Sequence, residues 1–166
     1  MAEHPPHQSI NPLIQASILE TVWSPMNEKK TILLVEDSKF LRVATERVMT
    51  KAGYTVIGVC DGDEAWRMAA SRLPDLIVLD MLLPKLSGPE VLRSLKKNVL
   101  TAHIPVIVCS SLSQKNEAKL VREGACAFVE KGSLLENPDL LLDSIKTALE
   151  KSGTKSVVPG TAHHDH

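Results

Sequence analysis

From Thr31 onward the chain alternates short, unbroken apolar runs with segments of helical periodicity, and that alternation admits few folds. The runs are Ile32-Leu33-Leu34-Val35, a β-branched and aromatic stretch from Tyr54 to Cys60, Leu76-Ile77-Val78-Leu79, Val106-Ile107-Val108-Cys109 and Ala127-Phe128-Val129. Helical spacing of apolar residues covers Ser38 to Lys51, Asp61 to Arg72, Gly88 to Lys97, Ser113 to Glu123 and Asn137 to Lys151. In the first of these Phe40, Ala44 and Val48 share a face with Leu41 beside them, and Asp61 or Asp63 can cap the second. Strands without polar alternation are buried on both faces, and strands joined through helices run parallel by right-handed crossover. The prediction is an α/β fold, a three-layer doubly wound sandwich around a five-stranded parallel sheet.

One core suffices for this chain. Its 166 residues, 43% hydrophobic and 23% charged, suit a single globular domain with tails, with no need of a disulfide framework or structural metal. A formal charge of -1 excludes a surface that holds nucleic acid or anionic membrane by charge alone, so neither DNA nor membrane is an expected partner. The longest apolar stretch, Leu76 to Leu83, is broken by Asp80 and far short of the roughly 18 residues of a membrane span. Cys60, Cys109 and Cys126 form no CxxC, and the first residues lack a basic start and an apolar run, which together predict a reduced, cytoplasmic setting.

Three segments follow from composition. Residues 1–28 form an N-terminal extension in which Leu13, Ile14, Ser17, Ile18, Thr21 and Val22 fall at helical spacing with Trp23 behind them. It reads either as a frayed extension or as a short amphipathic helix, and Met26 offers an alternative start of the chain. Residues 29–151 form the domain. Residues 152–166, rich in Gly, Thr, Pro and His, read as a disordered tail, and His163, His164 and His166 within it as tail rather than metal site.

In an open parallel sheet, ligands bind beyond the carboxyl ends of the strands where the strand order reverses. Here the first strand ends in Glu36-Asp37, the third in Asp80, the fourth in Ser110 and the fifth in Glu130-Lys131. With the order 2-1-3-4-5, strands one and three are neighbours and three carboxylates share one crevice. Such crowding raises at least one pKa unless a cation neutralises it, and a hard oxygen set of this kind suits Mg²⁺, which takes phosphate oxygen as a further ligand. Taken alone, Asp37 before Ser38 would be a helix cap, Ser110 an ordinary strand-end serine, Phe128 a core aromatic and Lys131 a solvated lysine. Asp80 closes a buried apolar run, where a carboxylate is costly without a partner.

Four segments in order, Ile32 to Ser38 (ILLVEDS), Leu76 to Gly88 (LIVLDMLLPKLSG), Pro105 to Ser111 (PVIVCSS) and Gly124 to Lys131 (GACAFVEK), resemble the receiver domain of two-component response regulators. The resemblance covers roughly residues 30–150 and implies a flavodoxin-like fold. It implies that Asp80 is the phosphoacceptor, taking a phosphoryl group from a phosphohistidine of a sensor histidine kinase or histidine phosphotransfer protein. Glu36, Asp37, Asp80 and the backbone carbonyl of Leu82 would then hold Mg²⁺, Glu36 through water. Lys131 would pair with the phosphoryl group, and Ser110 and Phe128 would form the switch. The expected output is not turnover of a substrate but a changed surface on the fourth helix, fifth strand and last helix, read by a downstream protein as monomer or phosphorylation-dependent dimer. Neither stretch outside the domain has room for a helix-turn-helix or catalytic output module.

Departures from the family pattern carry further expectations. Gly132 stands where the family has a cis proline, and because a non-proline cis bond costs about 2.5–4 kcal/mol, the Lys131-Gly132 bond is expected trans, with a more mobile loop. Ser110 replaces the commoner threonine and keeps the hydroxyl. Leu82 and Leu112 flank the site with apolar side chains that cannot orient an attacking water, which predicts slow loss of the phosphoryl group. The competing reading is a phosphorylation-independent binding module on the same fold. A dehalogenase-type hydrolase lacks its second carboxylate in Asp80-Met81-Leu82, and a dinucleotide site lacks the glycine-rich turn at Glu36-Asp37-Ser38.

Overall fold

A computed structural model of the chain describes residues 28–111 and 117–153. In chain order the elements are β1 (Thr31–Val35), α1 (Lys39–Lys51), β2 (Thr55–Val59), α2 (Gly62–Arg72), β3 (Leu76–Asp80), α3 (Gly88–Lys97), β4 (Val106–Ser110), α4 (Glu117–Arg122), β5 (Ala127–Glu130), α5 (Ser133–Glu136) and α6 (Asp139–Gly153). The sheet has the order β2-β1-β3-β4-β5 with every pair parallel, as the sequence predicts. The expectations on residues 1–27, on residues 112–116 with Leu112 and the start of the fourth helix, and on the tail from residue 154 lie outside the described residues.

The unbroken apolar runs are explained by two cores. Leu33, Val35, Ile77, Leu79, Val106 and Val108 point to one side of the sheet, against Ala65 and Ala69 of α2, Val91, Leu92 and Leu95 of α3, and Leu120 of α4. Their neighbours Ile32, Leu34, Leu76, Val78, Ile107 and Cys109 point to the other, against Met49 of α1, Leu134 of α5 and Leu141 and Ile145 of α6. Alternate side chains of each central strand therefore enter different cores, and both must be apolar.

Helix starts are written in the local sequence. Ser38 accepts from the Leu41 N–H at 3.4 Å, and Asp61, rather than Asp63, caps α2 by accepting from the Glu64 N–H at 2.8 Å. Before α3, Glu90 reaches back to the Ser87 N–H and hydroxyl at 2.9 and 2.6 Å.

Two predicted details differ. The buried face of α1 runs through Leu41, Thr45 and Met49, and Phe40 is 71% exposed, because Thr45 occupies the central line of the stripe that Phe40, Ala44 and Val48 were expected to define. The last helix starts at Asp139 instead of Asn137, and the separate turn of helix α5 precedes it. Asn137 breaks the path with φ -143° and ψ 77°, while Gly132 adopts helical angles and leads straight into α5. No side chain caps the start of this turn, since its N-cap is Gly132.

The start of α3 is pressed against the end of β3. A Cβ on Gly88 would overlap the Asp80 carbonyl oxygen and the Met81 Cα, and the Gly88 N–H donates to the Met81 carbonyl at 3.2 Å. Gly88→Ala is expected to cost about 1–3 kcal/mol as overpacking against rigid backbone. At about 2–4 °C per kcal/mol for a chain of this size, thermal unfolding followed by circular dichroism should show a Tm lower by about 2–12 °C. A Tm unchanged from wild type would contradict this packing.

Candidate functional site

The carboxyl ends of β1 and β3, neighbours at the point where the strand order reverses, bring Glu36, Asp37 and Asp80 together. Each offers an oxygen such that the three lie within 4.8 Å of one another. Asp80 and Glu36 are only 1% and 3% exposed, whereas Asp37 faces solvent. Each belongs to a structure that fixes it. Asp80 is the last residue of β3, and its Oδ1 accepts from the Leu82 N–H at 3.1 Å. The Glu36 N–H continues the β1 ladder to the Val59 carbonyl at 3.1 Å, and its carboxylate accepts from the Ser38 N–H at 2.9 Å.

Lys131 crosses from the end of β5 to join them. Its Nζ lies 2.6 Å from Asp80 Oδ2 and 3.0 Å from the Glu36 carboxylate. The backbone N–H of Lys131 donates to the Ser110 carbonyl at 3.0 Å, so the lysine hangs from β4. Ser110 is fully buried, and Phe128 sits half-buried across from Val108, against the core beneath α2 and α3. The Lys131-Gly132 bond is trans, as expected.

Electrostatics follow from this geometry. Burial pushes the Glu36 carboxyl above its ordinary 4.5, and nearby Asp80 adds to that, outweighing the hydrogen bonds from Lys131 and Ser38. Burial works against the Lys131 ammonium, yet hydrogen bonds to Asp80 and Glu36 more than offset it and leave its pKa above the usual 10.5. The contribution of this ion pairing to stability is therefore complete below pH 10.5 and is lost as pH rises through the folded value. The thiol of Cys109, opposite Asp80 in the sheet, is pushed up to about 12, mainly by burial, and is no competing nucleophile.

These residues fit Mg²⁺. An octahedral ion at about 2.0–2.1 Å from its ligands holds them about 3–4 Å apart, within the spread of the three oxygens. A carboxyl already disfavoured as an anion gains most from a cation beside it. Leu82, two residues beyond Asp80, is 55% exposed.

The described structure thus brings Glu36, Asp37, Asp80 and Lys131 into one cluster, with Ser110, Leu82 and Phe128 in the strands and loop around it. Arg42 was missed by sequence reasoning. Its Nη1 donates to the Glu36 and Asp37 carbonyls at 2.7 and 3.4 Å and fixes the backbone of the acidic pair, a contact with main-chain atoms that leaves no trace in residue types. A groove of about 1380 Å³ lies at the opposite end of the strands between Lys30, Pro74, His103 and Gly153, and shares no residue with the cluster.

Residues 32–146 match the family of the response regulator receiver domain. The polar-differentiation response regulator DivK of Brucella anthropi is 34% identical over 103 residues, which make up 61% of this chain and 84% of that protein. A signal receiver domain from Vibrio parahaemolyticus superposes with a TM-score of 0.72 and 29% identity, over 80% of this chain and 99% of the other. The response regulator domain of Thermotoga maritima CheB gives 0.67 and 28%, over 74% and 98%.

The raised Glu36 pKa has a measurable sign. Because ionised Glu36 is disfavoured in the folded state, its contribution to stability is complete below about pH 4.5 and lost as pH rises through the folded value. Glu36→Gln should therefore raise the Tm of the chelator-treated protein at pH 7 by a few degrees, with the gain shrinking towards pH 4.5. Saturating Mg²⁺ should then stabilise the wild type more than the variant. A variant no more stable than wild type in chelator at pH 7 would contradict the assignment.

Proposed function

The chain belongs to the response regulator receiver family of two-component signalling, and from that membership we propose that Asp80 accepts a phosphoryl group from a phosphohistidine of a sensor histidine kinase or histidine phosphotransfer protein. The observation that carries the reading is the contact of Lys131 with Asp80 at 2.6 Å inside a cluster of three carboxylates. A carboxylate oxygen of Asp80 forms the new O–P bond as the N–P bond of the donor breaks, and the electron pair returns to the imidazole nitrogen. Asp37, Asp80 and the Leu82 carbonyl, with Glu36 through water, would hold Mg²⁺, which would supply positive charge where the phosphoryl oxygens gather. Lys131 supplies the second positive charge and moves from the Asp80 carboxylate to a phosphoryl oxygen. Positioning and charge neutralisation are sufficient, because the transferred group spreads its charge over three oxygens.

Exposed apolar residues follow the cluster residues closely along the chain. Phe40 lies in the first turn of α1 just after Asp37, Leu82 two residues beyond Asp80, and Leu135 in α5 just after Lys131, each more than half exposed. Such a rim suits a protein donor better than a small phosphate ester. Once Asp80 carries the group, Ser110 donates its hydroxyl to a phosphoryl oxygen and Phe128 follows inward. The surface of α4, β5 and α6 then changes for a downstream protein in the cytoplasm. The protein signals and does not turn over a substrate.

The test is intact mass after incubation with a small phosphodonor. Wild type with Mg²⁺ should gain one phosphoryl group, and wild type with chelator or Asp80→Asn should gain none. A gain in Asp80→Asn, or none in wild type, overturns the reading. The apolar side chain of Leu82 cannot orient water, so the isolated phosphoprotein should persist for minutes or longer, and a half-life of seconds would contradict this.

A further inference from the structure

We propose that the Asp61–Lys85 ion pair positions the loop that carries the Leu82 carbonyl, and so sets the Mg²⁺ affinity of the carboxylate cluster without touching the ion. The inference rests on the reading of that cluster as an Mg²⁺ site. Residues 81–87 connect β3 to α3, and two close backbone contacts hold the ends of this loop. Gly88 is packed on Asp80 and Met81, and a Cβ on Gly62 would overlap the Leu86 carbonyl. Between these contacts Lys85 adopts φ 65°, a left-handed conformation that residues with a Cβ seldom hold without support.

The support is visible. Lys85 Nζ lies 2.6 Å from Asp61 Oδ2, and the other oxygen of Asp61 accepts from the Glu64 N–H as the cap of α2. The two partners are unequal, since the Asp61 side chain is 14% exposed and that of Lys85 is 63% exposed. The carboxylate is built into the start of a helix packed on the core, and the ammonium belongs to the loop. Asp61 is therefore the anchor and the loop is what it holds. The pair stays charged across the working range, because Lys85 and the Glu64 N–H hold the Asp61 carboxyl below its ordinary value.

A purely electrostatic role for Lys85 predicts the opposite sign. A cation near the cluster would repel Mg²⁺, so its removal would tighten binding, whereas loss of a positioning contact weakens it. The experiment is calorimetric titration of Mg²⁺ into the full chain, with unfolding midpoints measured alongside. The variants are Asp61→Asn, which keeps a capping acceptor, Lys85→Met, the double variant and Lys85→Arg.

Each single neutral variant should bind Mg²⁺ about two- to fivefold more weakly, the scale of one exposed ion pair. The double variant should lose no more than either single one, since both remove the same contact. Lys85→Arg should bind like wild type, and the midpoints should stay close to wild type. If Asp61→Asn unfolds, Lys85→Met, which lies outside any helix, carries the comparison. Unchanged or tighter binding by Lys85→Met, or losses that add in the double variant, would overturn the proposal alone. Failure of the wild type to bind Mg²⁺ would overturn it together with the reading of the cluster.

Discussion

Everything at the carboxyl end of the sheet depends on how two buried carboxylates of like charge are held together. Asp80 and Glu36 sit at the ends of adjacent strands, almost without solvent, and Lys131 bridges them from the far side of the site. One ammonium faces two buried carboxylates, and burial first, with the neighbouring Asp80 charge adding to it, holds the Glu36 pKa above its ordinary value despite the hydrogen bond from Lys131. A site left short of positive charge is ready for a cation and, on the proposed reading, for a phosphoryl group that arrives with one. The mutual repulsion of the buried carboxylates and the affinity of the site for a cation are the same electrostatic fact.

The fold makes that arrangement possible because the central strands are locked from both sides. Alternate residues of β1, β3 and β4 enter two separate cores, so the strand ends cannot shift without disturbing both. The loops are secured in turn by contacts with main-chain atoms. Arg42 holds the carbonyls of Glu36 and Asp37, Gly88 lets α3 rest on Asp80 and Met81, and the β4 carbonyl at Ser110 holds the backbone of Lys131. The same β4–β5 register that places Ser110 beside Glu130 sets Val108 beside Phe128, so hydroxyl and ring share a pair of strands.

Much of this was legible in the sequence, for particular reasons. Strands buried on both faces can only be apolar, which exposed four of the five runs, and a carboxylate closing such a run marks a strand end at a site. Position came from that rule, and individual roles for Ser110, Phe128 and Lys131 came only from the family resemblance. The face of α1 was misjudged because Thr45 counts as polar in a periodicity yet lies buried, while Phe40 counts as apolar and lies in water. α5 escaped because four residues are too few for a period. Arg42, Gly62 and the Asp61–Lys85 pair were hidden because their partners are backbone atoms or another loop, and spacing along the chain records neither.

The central claim is that Lys131 neutralises a carboxylate pair that would otherwise repel, and chemical denaturation of Lys131→Met with and without Mg²⁺ tests it most directly. Breaking a fully buried ion pair costs about 3–5 kcal/mol, and the partial exposure of this ammonium lowers the expectation to about 1–3 kcal/mol. The account predicts that loss in chelator, together with a larger Mg²⁺-induced stabilisation than in wild type, because the metal then supplies the missing charge. Unchanged stability in chelator, or a Mg²⁺ gain no greater than that of wild type, would contradict it.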